Sequence, residues 1–229
     1  FSRSRGLGDV YKRQGRKKTT FPVNWLEIDQ RSPRISLKPI TTNFNGQTGT
    51  APLVTTAQKW RAAAAINGGF FNRNNQLPLG AIRQDNNWLS SPILGRGAIG
   101  WDDKGQVYLN RLALRETITT ATGNNIPIAF LNSGYIKAGV SRYTSEWGQS
   151  YTPLSDNEII IVVENNQVIY QQQARKAKSQ SYPIPKNGYL LTIRKNAVAS
   201  SLLSPGTNLT LQSNTTVSYT HLTLPTKLS

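Results

Sequence analysis

The sequence predicts an α+β fold, a strand-rich mixed or antiparallel sheet with few short helices. Two observations carry that expectation: apolar runs are short and are separated by Asn, Asp and Gly turns, and only one Ala-rich segment reads as a helix. That helix is expected in "TTAQKWRAAA", where Thr55 or Thr56 could cap it before the chain extends into "AAIN". "RQDNNWLS", "GWDDKGQVYL" and "IIIVVENNQVIY" each read as a hairpin, with turns at Asp85-Asn86-Asn87, Asp102-Asp103-Lys104-Gly105 and Glu164-Asn165-Asn166. Asn, Asp and Gly supply local hydrogen bonds there and tolerate positive φ. "IPKNGYLLTIRKN" gives a turn and a strand, and "LSPGTNLTLQS" a Pro-Gly turn leading into another. Gln171 to Tyr182, "QQQARKAKSQSY", is polar and low in complexity and reads as a mobile loop. There is no internal repeat.

The two ends have a different origin. Asp9 to Gln14, "DVYKRQ", is the translation of a transposase-adapter end used in sequencing libraries, and the reverse complement of the same word, in another frame, encodes "VSYTHL" from Val217. Residues 1–14 and 217–229 are therefore read as adapter-derived and set aside from fold reasoning. Residues 15–216 are read as the N-terminal portion of one domain. The only histidine, His221, falls in the adapter-derived tail.

The whole chain carries 27 basic and 11 acidic residues, a net charge of +16. The ends hold Arg3, Arg5, Lys12, Arg13 and Lys227 against Asp9, so 22 basic and 10 acidic residues remain, a net +12. The positive residues are scattered apart from Arg16-Lys17-Lys18 and Arg175-Lys176-Ala177-Lys178, and neither cluster alternates with aromatics. A nucleic-acid partner is therefore not expected, whereas an anionic ligand such as a phosphodiester suits the charge. No apolar run approaches the roughly 20 residues of a membrane span. With no cysteine and no histidine outside the tail, a thiolate or His-based metal site and a His-based triad are excluded. No metal or cofactor is expected.

The segment "INGGFFN" carries the strongest local signal. Gly68 and Gly69 let a strand turn sharply and approach another group, flanked by the amides of Asn67 and Asn72. Phe70 and Phe71 point to opposite faces if the chain is extended. One ring can then enter the core and one can line a pocket. The plain alternative is a tight turn with both rings in the core and both amides satisfied by backbone.

"INGGFF", "PLGAIR", "RGAIGWDDKGQV", "NSGY", "GVSRYTSEWG" and "IPKNGYLL" follow in an order and approximate spacing that resembles the phosphodiester glycosidase family, which is similar to the uncovering-enzyme domain that removes N-acetylglucosamine from a phosphodiester-linked sugar. The resemblance covers most of Val54 to Thr210. It implies hydrolysis of a sugar-1-phosphodiester, with Asn67, Arg96 and Glu146 catalytic and Gly68, Gly69, Phe70, Phe71, Asn72, Arg83, Asn132, Arg142 and Tyr143 binding substrate. Arginine suits the task because its fork can hold two phosphate oxygens and keeps its charge. For Arg142 an ion pair with Glu146 is the competing reading. Family members continue into a second half with an Asp-Gly-Gly-Gly-Ser-like turn, so the chain resembles an incomplete domain, inactive alone. The family also favours a secreted or periplasmic location.

Glycoside cleavage commonly uses two facing carboxyl groups, roughly 5–9.5 Å apart. Asp85, Asp102, Asp103 and Glu164 fall in predicted turns, Glu27 and Asp29 on one expected strand, and Asp156 and Glu158 at the start of another. Glu116 has no legible context. Glu146 stands out because Trp147 beside it would raise its pKa, although no second acid is an obvious partner. The second functional reading is a non-enzymatic module for anionic polysaccharide, in which Trp25, Trp60, Trp88, Trp101 and Trp147 are candidates for stacking on sugar rings.

Overall fold

The computed structural model describes residues 8–14, 17–23, 26–29, 32–44 and 46–218. Arg16, Trp25 and His221 lie outside them. In chain order the elements are β1 (Gly8–Gln14), β2 (Lys17–Val23), α1 (Leu53–Lys59), β3 (Phe70–Phe71), β4 (Pro78–Leu79), β5 (Ile82–Gln84), β6 (Asn87–Ser90), β7 (Gly97–Trp101) and β8 (Val107–Thr120). They continue with β9 (Asn125–Leu131), β10 (Gly139–Tyr143), β11 (Ser150–Tyr151), β12 (Ile159–Glu164), β13 (Gln167–Gln173), β14 (Tyr182–Pro183), β15 (Gly188–Arg194), α2 (Ala197–Leu202) and β16 (Leu209–Ser218). The fold is strand-rich with two short helices, as an α+β class requires.

Two compact units emerge: Phe1–Leu37 with Trp101–Tyr108, and Lys38–Gly100 with Leu109–Ser229. The first contains the antiparallel β1–β2 hairpin, running from Gly8↔Val23 to Gln14↔Lys17. The segment "DVYKRQ", expected to be adapter-derived, takes part in this backbone pairing, which needs only extended chain. Residues 26–29, expected to be strand around Glu27 and Asp29, carry no strand. The Asp102 turn is as expected: its Oδ1 accepts the N–H groups of Lys104 and Gln106, both at 2.9 Å, and Gly105 takes φ +77°. The hydrogen bond from Gln106 is the main cause holding the Asp102 carboxyl below its usual range.

The second unit is built on an eight-stranded mixed sheet in the order β13-β12-β15-β10-β9-β8-β16, with β7 also pairing β8. β9 and β10 run parallel, whereas β10–β15, β12–β13, β12–β15, β8–β16 and β8–β9 are antiparallel. β15 sits between β12 and β10, and six of its seven residues are buried, so Tyr189, Leu190, Leu191 and Ile193 reflect cover on both faces, with Thr192 and Arg194 buried among them. One face packs Ile118, Ile128, Val140, Ile161, Leu191 and Ile193 beneath Ala199 and Leu203 of the α2 region. The other packs Tyr143, Ile160 and Leu190 against Trp147, Tyr151, Tyr182 and Ile184 from connecting segments.

The local chemistry explains the turns. Asp85-Asn86 and Asn165-Asn166 all take positive φ between strands paired Gln84↔Asn87 and Glu164↔Gln167, the backbone of a two-residue hairpin loop. α2 begins at Asn196, whose side chain accepts from Ala199 N at 3.1 Å, an N-cap that propensity rules could have found. α1 differs from its expected form: it starts at Leu53 after Pro52, has no side-chain cap, and ends at Lys59, so neither Thr55 nor Thr56 caps it.

The segment 171–182 also differs from the mobile loop expected of it. Gln171 to Gln173 complete β13, Ala174 and Tyr182 are buried, and backbone bonds tie Ala174 N to Glu158 O and Lys178 N to Pro153 O. The apolar residues at its two ends anchor a polar middle. Gly188 shows where a glycine is obligatory: a Cβ there would lie 1.9 Å from Val163 O.

Candidate functional site

The Asn67–Asn72 segment lies at the surface. Asn67, Gly68, Gly69, Phe70 and Phe71 are exposed, and Phe70 and Phe71 form β3 against β4 in the register Phe70↔Leu79. Neither glycine takes positive φ, and a Cβ on Gly68 would meet nothing within 4 Å, on Gly69 only Leu79 O at 3.8 Å. The expectation of a sharp glycine-dependent turn is therefore corrected. So is that of a buried ring, since Phe70 and Phe71 are 69% and 53% exposed. The turn comes later, where Asn72 Oδ1 accepts Asn74 N at 2.9 Å and Asn72 O accepts Gln76 N at 2.7 Å. The backbone close approach falls instead at Gly134, whose Cβ would lie 2.4 Å from that of Leu77.

Arg96 joins this surface. Its guanidinium lies 5.0 Å from the centre of the Phe70 ring and has no hydrogen-bond or ion-pair partner among the described residues. The turn that presents it closes with Arg96 N donating to Ile93 O at 3.2 Å. A bare guanidinium on an aromatic face keeps its donors for a ligand. Exposed Arg83 makes a second pair, 5.6 Å over the half-buried Trp88, with Nη2 donating to Asn86 Oδ1 at 3.4 Å.

Arg142, Tyr143 and Asn132 are used differently from what the resemblance implies. Neighbours on a strand face opposite ways, and Arg142 and Tyr143 separate accordingly. Arg142 grips Glu116 through Nε at 3.1 Å and Nη2 at 2.5 Å, beside the Tyr189 ring. Glu116, 26 residues away in sequence, is its partner, which replaces the competing reading of a Glu146 pair. Tyr143 is fully buried, stacked near Trp147 and Tyr151, with its hydroxyl donating to Ser133 O at 2.9 Å. Asn132, buried with φ +46°, donates to Leu89 O and Thr144 Oγ1 and accepts Thr144 N, all at 2.8 Å. Both of its N–H donors are spent, and at 0% exposure its remaining acceptor site is closed to a sugar hydroxyl.

A buried polar cluster occupies the aromatic face of the sheet. Glu158 accepts from Arg194 Nε at 2.8 Å, the Tyr151 hydroxyl at 2.6 Å, and Ser155 N at 2.6 Å. Ser155 Oγ and Leu154 N add further bonds, at 2.9 and 3.0 Å. Arg194 also reaches the Tyr151 hydroxyl at 2.8 Å. Burial pushes the Tyr143 phenol up and the Tyr151 phenol well up from their ordinary values. Enclosed and satisfied, this cluster is positioned to hold the sheet together.

Glu146 lies elsewhere again. It is exposed, while Trp147 turns its ring into the core, so the apolar enclosure expected around Glu146 is missing. Glu146 lines a cavity of about 280 Å³ together with Phe44, Gln47, Trp60, Asp85 and Asn87. Sequence reasoning missed this grouping, because Asp85 and Glu146 meet only through the fold. Among the described residues no group of three or more metal-ligating side chains occurs, and no helix is long and apolar enough to cross a membrane.

No protein-family model matches the chain, and no curated protein does. Among solved structures, a hypothetical protein from Synechocystis superposes with a TM-score of 0.82 at 49% identity, covering 91% of this chain and 38% of that one. A Burkholderia pseudomallei protein described as exported superposes with a TM-score of 0.68 at 21% identity, covering 83% of this chain and 45% of that one, which is a likeness of fold. The chain spans less than half the length of either.

Proposed function

We propose that the chain is part of a hydrolase that cleaves a glycosyl phosphodiester, with the Arg96–Phe70 surface taking the phosphate. The observation that carries this reading is the Arg96 guanidinium, without a hydrogen-bond or ion-pair partner among the described residues and 5.0 Å over the exposed ring of Phe70, three residues after the exposed Asn67. An arginine without a carboxylate partner can offer two parallel N–H groups to phosphate oxygens. Glu146, exposed, without a partner among the described residues and lining a cavity that includes neither Arg96 nor Phe70, is the candidate proton donor. The ordered sequence motifs support the family reading, in which the active unit is longer than this chain. A secreted or periplasmic location is part of the same proposal, in keeping with the description of the Burkholderia protein as exported.

The test is product analysis on the full-length protein with a sugar-1-phosphodiester. Release of free sugar, reduced about 100-fold or more by Arg96→Ala, is the expected result. Undiminished turnover in Asn67→Ala and Arg96→Ala would remove these residues from the mechanism. A second reading, a binding module for anionic polysaccharide, draws on the net charge of +12 outside the two ends and on a second arginine-aromatic pair, Arg83 over the half-buried Trp88. It predicts retention of anionic glycan with no sugar released and no sensitivity to Asn67→Ala.

A further inference from the structure

Asn-Gly dipeptides occur at Asn45-Gly46, Asn67-Gly68 and Asn187-Gly188. In such a pair the main-chain nitrogen of the glycine can reach the side-chain carbonyl carbon of the asparagine, because no Cβ hinders the approach. The fold treats the pairs differently. Asn45 lies outside the described residues, and Gly46 after it is packed so closely that a Cβ would lie 2.7 Å from Trp147 O.

Asn187-Gly188 is held. Gly188 opens β15 in register with Glu164, and Asn187 O accepts Asn165 N at 3.1 Å. A Cβ on Gly188 would lie 1.9 Å from Val163 O, so the backbone has no room to swing. Turning the Gly188 nitrogen onto the Asn187 side chain requires the end of the β12–β15 pairing to open first. Asn67-Gly68 is under none of these restraints. Residues 62–69 carry no helix or strand, and the positions from Ile66 to Phe70 are all exposed. Neither the Asn67 amide nor the Gly68 N–H has a hydrogen-bond partner among the described residues. Nothing lies within 4 Å of a Cβ built on Gly68. Asn132-Ser133, where a small residue also follows an asparagine, is buried, and both amide donors of Asn132 are committed.

We propose that Asn67-Gly68 is a site of spontaneous chemical modification, at which Asn67 deamidates in the folded chain whereas Asn187 is protected. The Gly68 nitrogen gives up its proton and attacks Asn67 Cγ. The bond from Cγ to the side-chain NH₂ breaks, ammonia leaves, and a cyclic imide closes. Water then opens the imide at one carbonyl or the other, which leaves aspartate or isoaspartate and a new negative charge. The charge arises three residues before Phe70, whose ring lies under Arg96. Isoaspartate also lengthens the main chain there by one methylene. The conversion thus brings an anion into the segment proposed to take a phosphate, although the modification does not rest on that reading, since it is followed by mass and not by activity.

The experiment incubates the full chain, folded and in urea, at mildly alkaline pH. Mass spectrometry follows the tryptic peptides that hold Asn67 (Ala62–Arg73) and Asn187, and isoaspartyl methyltransferase labelling identifies the isoaspartate product. In the folded chain Asn67 should convert at least about tenfold faster than Asn187, and in urea the two rates should converge. The rate at Asn67 should rise with pH, as the Gly68 nitrogen loses its proton more readily. Gly68→Ala, which has room for the methyl group, should slow the conversion at an unchanged melting temperature. Asn67 that stays intact in the folded chain, a rate at Asn187 equal to or above that at Asn67, or an unchanged rate in Gly68→Ala would each overturn the proposal.

Discussion

Replacing Glu158 with Gln tests whether the buried polar cluster holds the sheet together. The change keeps the shape and removes the charge, leaving Arg194, only 4% exposed, as an uncompensated buried cation. The carboxylate accepts five hydrogen bonds, from Arg194, Tyr151, Leu154 N, Ser155 N and Ser155 Oγ. An amide oxygen and an NH₂ group cannot accept them all. Breaking one side of a buried pair costs about 3–5 kcal/mol, a large share of the roughly 5–15 kcal/mol that keeps a domain folded. At about 2–4 °C per kcal/mol, the melting temperature should fall by about 6–20 °C. The assay is urea denaturation and thermal melting of wild type, Glu158→Gln, Arg194→Met and the double variant. The double variant should recover part of the loss, with a coupling of about 0.5–3 kcal/mol. A loss below about 1 kcal/mol in Glu158→Gln, or strict additivity, would mean that the cluster does not hold the sheet together.

The other predictions concern parts of the fold whose roles the geometry separates. Asn132→Ala removes three side-chain hydrogen bonds between the Leu89, Asn132 and Thr144 segments and should cost about 1–3 kcal/mol by denaturant titration. Gly188→Ala drives a Cβ into Val163 O and should abolish the soluble folded chain, whereas Gly68→Ala, with open space around it, should change stability by less than about 0.5 kcal/mol. The Tyr143 and Tyr151 phenols have raised folded values, so their contribution is fully present below the ordinary tyrosine pKa of about 10 and is lost as pH rises above it. An alkaline absorbance titration should show exposed tyrosines ionising first and these two only with unfolding. Their titration alongside the exposed group, with near-UV circular dichroism intact, would contradict the burial.

What was legible in the sequence follows the range of the interactions. Asp85-Asn86 and Asn165-Asn166 announced their hairpins because side chain and backbone at a two-residue turn are adjacent. Asn196 announced α2 by the same kind of rule, although the segment was not read as a helix. Glu116 had no context because its partner, Arg142, lies two strands away across β9. The Arg142-Tyr143 pair looked like one element in the sequence, yet the period of a strand sends the two side chains into different layers. Gly68-Gly69 signalled a special backbone, but the positions where a side chain cannot fit are Gly134 and Gly188. The Asp85–Glu146 cavity needed the fold itself, since nothing local links a hairpin tip to the segment after β10.

The proposed function rests on Arg96, over the Phe70 ring, receiving a phosphate group. The most direct measurement is a titration of the full-length protein with a non-hydrolysable sugar phosphonate, following the phosphorus resonance of the ligand and the guanidinium resonances of Arg96. Saturable shifts in both, a loss of affinity of about tenfold or more in Arg96→Gln, and no comparable loss in Arg142→Gln are the predicted results. Binding that is unchanged in Arg96→Gln, or that leaves the Arg96 resonances unmoved, would contradict the claim.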